Sequence, residues 1–139
     1  MLDEKLKLAM KDAEKFHGHL GPFLVLGVRM GETVKKILKT ANLQVVAKLP
    51  LSTPFSCVLD GIQVATQCTI GNQKLKIENS SKEISADFQC AKTHKKLTIT
   101  VNPKMTEALT KKLSEGISNE ELAWEIANTP ENQLFIMKE

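Results

Sequence analysis

Two of the chain's three histidines, His17 and His19, flank a glycine in the segment Phe16-His17-Gly18-His19-Leu20-Gly21-Pro22, and its only arginine, Arg29, follows in an apolar frame. Imidazole is the commonest transition-metal ligand among side chains and the usual proton carrier near neutral pH. Two residues advance a helix by about 200°, so these histidines cannot share a helical face. Gly18 lets the chain leave the helix between them, and on such a turn they can converge as half of a tetrahedral site. A plainer reading stands beside that one: His17 sits at a helix C-terminus, favoured by the dipole, while His19 satisfies a local hydrogen bond.

Gly21-Pro22 opens a second helix, with proline at the first position where a missing amide costs nothing. The free amides of that terminus face the histidine turn and favour an anion there. Arg29 on this helix holds five donors in a planar fork that suits a carboxylate or a ligand anion. An internal ion pair is the favoured reading, with Asp60 or Glu32 as partner. Gly27 and Gly31 predict a close approach by another helix.

The positioning elements follow from periodicity. Leu2, Leu6, Leu8, Ala9, Ala13 and Phe16 form the apolar stripe of a first helix ending near Gly18, and the second runs from Pro22 to about Lys39. Residues 44–49 read as a short strand. Thr53-Pro54 signals a third helix over 55–69, closed by Gly71. On it Asp60, Gln63 and Gln67 share a polar face, while Val58, Ile62 and Ala65 face the core. Cys68 ends this helix as a metal thiolate or a small buried hydrophobe, whereas Cys57 and Cys90 read as core. From Lys74 to Val101 the period changes to two, which predicts an antiparallel meander turning at 79–81 and 93–95, with Leu75, Ile77, Ile84, Ala86, Phe88, Leu97, Ile99 and Val101 inward. Asn102-Pro103 starts a fourth helix to Glu115. Ser118-Asn119-Glu120-Glu121 is a capping box for a fifth helix to Asn128, and residues 133–137 suit a last strand. Helices packed on one face of a mostly antiparallel sheet make the fold class α+β.

With 139 residues and 42% hydrophobic content, the chain is expected to form one domain over residues 1–139. Nineteen basic against 16 acidic residues are interspersed rather than blocked, and aromatics make up 4%, which argues against nucleic acid as a partner. No apolar run is long enough to span a bilayer and the first residues lack a signal-peptide pattern, so no membrane partner and a cytoplasmic location are expected. Three cysteines without a CxxC pair indicate reduced thiols.

The segments FHGHLGPFLVLGVRMG and CVLDGIQVATQCTIGN together resemble the E-subunit family of formylmethanofuran dehydrogenase. His17, His19, Pro22, Gly27 and Arg29 match the first family motif; Asp60, Ile62, Gln63, Cys68 and Thr69 match the second. Gly21 stands where the family usually carries cysteine, Gln67 replaces a usual glycine, and the zinc ribbon that some members add after the core is not expected here. The resemblance implies an intertwined homodimer, oxidoreductase partner subunits and a link to one-carbon or molybdenum/tungsten enzyme metabolism. It implies a site for zinc or another divalent transition metal on His17, His19 and Cys68, with Arg29, Asp60 and Gln63 as candidate cofactor contacts. Two alternatives remain: a module that binds a small anion or cofactor over a vestigial metal site, and an interaction protein whose pocket is vestigial.

Overall fold

The computed structural model describes residues 3–139, so Leu2 of the first apolar stripe lies outside the described residues. The elements run α1 (Glu4–His17), α2 (Pro22–Leu38), β1 (Leu43–Leu49), α3 (Cys57–Thr66), β2 (Leu75–Asn79), β3 (Ser85–Cys90), β4 (Lys96–Val101), α4 (Pro103–Ser114), α5 (Asn119–Asn128), a single turn α6 (Glu131–Leu134) and β5 (Phe135–Lys138). They form an α+β fold. Among the described residues no helix is long and apolar enough to cross a membrane.

The helix signals act as their chemistry dictates. Asp3 caps α1 by accepting from the Lys5 amide at 3.0 Å, Asn102 caps α4 by accepting from Lys104, and Ser118 caps α5 by accepting from Glu121 at 3.1 Å. Gly18 ends α1 with φ at 107°, in the left-handed region that glycine enters without cost. The third helix departs from expectation at both ends. The Thr53–Pro54 peptide is cis and the helix begins only at Cys57, while Gln67 in left-handed geometry stops it well before Gly71.

The sheet is also not a simple meander. Its order is β2-β1-β3-β4-β5, and β1 pairs parallel with β2 (Val45 opposite Leu75) and antiparallel with β3 (Ala47 opposite Ala86). The bend after β2 therefore carries the chain past β1 rather than into a hairpin. Sequence periodicity identifies which residues face inward, but not which strand lies beside which. The inward positions are as expected at Leu75, Ile84, Ala86, Phe88, Leu97, Ile99 and Val101, all buried, with Ile77 partly covered.

One core unites sheet and helices around α2, whose Phe23, Leu24, Val25, Leu26, Val28 and Met30 are essentially solvent-free. Each such side chain contributes roughly 1.5–3 kcal/mol of burial relative to an exposed position. The tightest crossing is between α2 and α3. A Cβ on Gly27 would overlap the carbonyl oxygen of Val58, and one on Gly61 would overlap that of Leu24. Glycine on each side lets the two backbones touch, which fixes how α3 stands over the histidine turn.

Candidate functional site

The site assembles where four helices meet. His17 is the last residue of α1, Gly18 turns the chain out, and His19 follows with its ring centroid 4.6 Å from that of His17. Gly21 and Pro22 then begin α2, which has no side-chain cap among the described residues, so its first amides find no side-chain acceptor there. His17, His19, Gly21, Pro22, Cys57 and Asn119 line a cavity of about 170 Å³. Cys57 is the first residue of α3 and Asn119 the first of α5, so N-terminal ends of three helices surround it. Their partial positive charges converge on one small volume.

Asp60, one turn into α3, reaches across to α1. Nδ1 of His17 donates to Oδ2 of Asp60 at 2.6 Å, and the other carboxylate oxygen accepts from Nε2 of Gln63 at 3.2 Å. A carboxylate only accepts, so the proton of the neutral imidazole resides on Nδ1 and the lone pair on Nε2. That Nε2 is buried and has no hydrogen-bond partner among the described residues. A buried polar atom without a partner calls for an explanation, and a bound ion or ligand supplies one.

The thiol of Cys57 also borders the cavity. Burial, and then the negative charge of Asp60, push it above the ordinary thiol value, against a smaller opposing backbone hydrogen bond. In this state it is a neutral thiol, and a cation in the cavity would favour its thiolate.

Among the residues expected at the site, the structure brings together His17, His19, Asp60 and Gln63 and leaves two elsewhere. Cys68 is 1% exposed and its Sγ donates to the carbonyl of Leu43 at 3.1 Å. The left-handed turn at Gln67 aims Cys68 between α3 and β1, away from the histidines. Burial raises its thiol too, opposed by a hydrogen bond from Thr66 and by the charge of Lys74. Arg29 lies farther along α2, where one guanidinium nitrogen donates to the carbonyls of Thr129 and of Ile126, the latter at 2.9 Å. It closes the C-terminus of α5 and, among the described residues, forms no ion pair with Asp60 or any other carboxylate: Glu131 acts on it only through its nearby charge, and Glu32 pairs with Lys35 at 3.4 Å. Burial pulls the guanidinium below its ordinary value and Glu131 raises it.

Two cavity residues escaped sequence reasoning. Cys57 and Asp60 are three apart on one helical face, a spacing that could have drawn Cys57 out of the core assignment. Asn119 carried no signal beyond its place in the capping box. Among the described residues, no three histidine, cysteine, aspartate or glutamate side chains come together closely enough to hold a metal. The donor set for a cation is therefore two imidazoles with a carboxylate behind one of them. It fits an ion that retains positions for water or another ligand, and it does not fit a closed structural site.

Among known proteins, the family model described as "FmdE, Molybdenum formylmethanofuran dehydrogenase operon" matches residues 16–136. A protein of Archaeoglobus fulgidus named "Probable S-adenosyl-L-methionine-binding protein" is 37% identical over 75 residues, covering 51% of this chain and 20% of that protein. The chain thus matches about a fifth of the length of that curated relative.

Proposed function

The chain belongs to the FmdE family, and on that premise we propose that it is a cytoplasmic accessory or stand-alone relative of the formylmethanofuran dehydrogenase E subunit, whose histidine cavity binds zinc or a similar divalent transition metal. The observation that carries this reading is the buried, unpartnered Nε2 of His17 beside the ring of His19. The carboxylate of Asp60 on the far side of the imidazole is the arrangement that orients a metal-bound histidine and raises its basicity. His17 and His19 would hold the ion, with Cys57 at the cavity wall. A cation bound there would act as a Lewis acid on whatever completes its coordination. The reading extends to an intertwined homodimer working beside oxidoreductase subunits in one-carbon or molybdenum/tungsten enzyme metabolism. Ile136 and Met137, exposed on the edge strand β5, support a protein contact there.

A second reading rests on the free amides of α2: the cavity holds a small anion or the anionic part of a cofactor, and the metal site is vestigial. S-adenosylmethionine, the ligand in the name of the archaeal relative, belongs in that comparison. The 170 Å³ cavity is smaller than the roughly 300 Å³ and upward typical of drug-sized ligands. A separate apolar groove of about 790 Å³ between α4 and the sheet, floored by Phe55, Ile84 and Val101, is large enough.

The deciding measurement is elemental analysis after equilibration with zinc, cobalt and nickel, on the wild type and on His17→Ala and His19→Ala. Near-stoichiometric metal that both substitutions abolish is expected. Wild-type protein that retains none, or a His17→Ala variant that retains it fully, would overturn the metal reading. S-adenosylmethionine titrated into the same samples tests the second.

A further inference from the structure

We infer that Gln63 is a positioning residue, the middle of a directional hydrogen-bond relay that runs from the Ile70 backbone amide to His17 and fixes which imidazole nitrogen faces the cavity bare. The relay has three links, all measurable. The Ile70 N–H donates to Oε1 of Gln63 at 3.2 Å, Nε2 of Gln63 donates to Oδ1 of Asp60 at 3.2 Å, and Oδ2 of Asp60 accepts from Nδ1 of His17 at 2.6 Å.

Its polarity is set at the Ile70 end. A backbone N–H can only donate, so the amide of Gln63 must turn its oxygen to Ile70 and its NH₂ to Asp60. The segment presenting that N–H is held in place by Asn72. Its Oδ1 accepts from Thr69 N at 2.9 Å and Lys74 N at 3.0 Å, and its Nδ2 donates to the Gln67 carbonyl at 2.8 Å. Gln63 thus offers Asp60 a fixed donor. It holds one carboxylate oxygen so that the other stays on His17, although Asp60 is a third exposed and could otherwise swing into water. The consequence is a lone pair at Nε2 of the neutral imidazole, suited to a Lewis-acidic cation or a hydrogen-bond donor rather than to a bare oxyanion. The functional meaning rests on the proposal above, whereas the relay itself can be tested with no metal or ligand present.

The test reads the protonated nitrogen of His17 by long-range ¹H–¹⁵N correlation in metal-free, ¹⁵N-labelled protein at one alkaline pH, with the ring neutral. In the wild type the proton is expected on Nδ1. In Asp60→Asn, Gln63 still donates to the carbonyl oxygen of the new amide, whose NH₂ then faces His17 and moves the ring proton to Nε2. In Asp60→Asn/Gln63→Glu, the carboxylate at position 63 accepts from both Ile70 and the amide at position 60. That amide flips, and the proton returns to Nδ1. In Asp60→Asn/Gln63→Leu the relay is cut and both tautomers are expected. A proton that stays on Nδ1 in Asp60→Asn, or fails to return in the Glu double variant, overturns the relay. Circular dichroism confirms that each variant is folded, and failure of metal binding alone leaves this outcome untouched.

Discussion

Gly61→Ala separates two effects of opposite sign. Helix propensity alone predicts that replacing glycine by alanine inside α3 stabilises the protein by about 1 kcal/mol. The structure predicts the reverse, because the added Cβ would overlap the Leu24 carbonyl oxygen and approach the Val28 nitrogen to 2.6 Å, both main-chain atoms of α2 that no rotamer change can move. Overpacking of this kind costs about 3 kcal/mol, the upper end of its usual range, so the net is a destabilisation of about 2 kcal/mol. At about 4 °C per kcal/mol for a chain of this size, the midpoint should fall by about 8 °C in a thermal melt followed by circular dichroism. Gly71→Ala is the control, since a Cβ there meets only the Thr69 hydroxyl at 3.8 Å, and it should stay within about 0.5 kcal/mol of wild type. Separating α2 from α3 also carries Asp60 away from His17, so metal or ligand affinity should fall with the melting point. An unchanged or raised midpoint in Gly61→Ala would refute the claim that touching backbones set the geometry of the site.

Gly21→Cys should increase zinc affinity at least ~10-fold by competition with a chelator, because a Cβ at position 21 lies 3.7 Å from Nε2 of His19, its tightest contact is the Asn119 side-chain oxygen at 3.2 Å, which can turn aside, and a thiolate is a strong zinc ligand. Unchanged affinity would argue against His19 as a ligand. Arg29→Lys replaces the guanidinium nitrogen that donates to both carbonyls at the end of α5 with the ammonium of a shorter side chain, and should cost about 1–2 kcal/mol in urea unfolding while leaving metal affinity at the wild-type level. A parallel loss of affinity would return Arg29 to the site. For Cys57 and Cys68 the folded thiols are raised above the ordinary 9.0, so the advantage they give the native state is full below that pH and is lost as pH rises through their folded values. Urea midpoints between pH 8 and 11 should therefore fall less steeply in Cys57→Ser than in the wild type, and an identical slope would count against burial as the cause.

The sequence was most legible where chemistry is local. Asn102, Ser118 and Gly18 act at helix ends because side-chain oxygens and a left-handed glycine have few other uses there. Gly27 and Gly31 announced a close helix neighbour, though not that Gly61 would meet Gly27 from the other side while Ala65 and Thr66 face Gly31. Legibility failed where the answer depends on tertiary placement. The alternation of β2 and β3 is the same whether they are neighbours or have β1 between them. Cys57 and Cys68 bracket α3: the N-terminal end of the helix places Cys57 at the histidine cavity, while the left-handed turn at Gln67 sends Cys68 into the core. For Arg29 an ion pair with a carboxylate was expected, whereas its hydrogen bonds go to carbonyls at the end of a helix nearly a hundred residues away, which no local pattern announces.

Helix α5 has an unusual double tenancy. Its first residue, Asn119, forms part of the histidine cavity, and the carbonyls at its C-terminal end are the acceptors that keep the Arg29 guanidinium satisfied inside the protein. Cleavage in the α4–α5 turn would therefore do two injuries at once if the tail dissociated. It would open the cavity to bulk water and strip the Arg29 guanidinium of the carbonyls that hold it. The exposed stretch 114–116 is thus the point at which a protease could silence the site without touching either histidine.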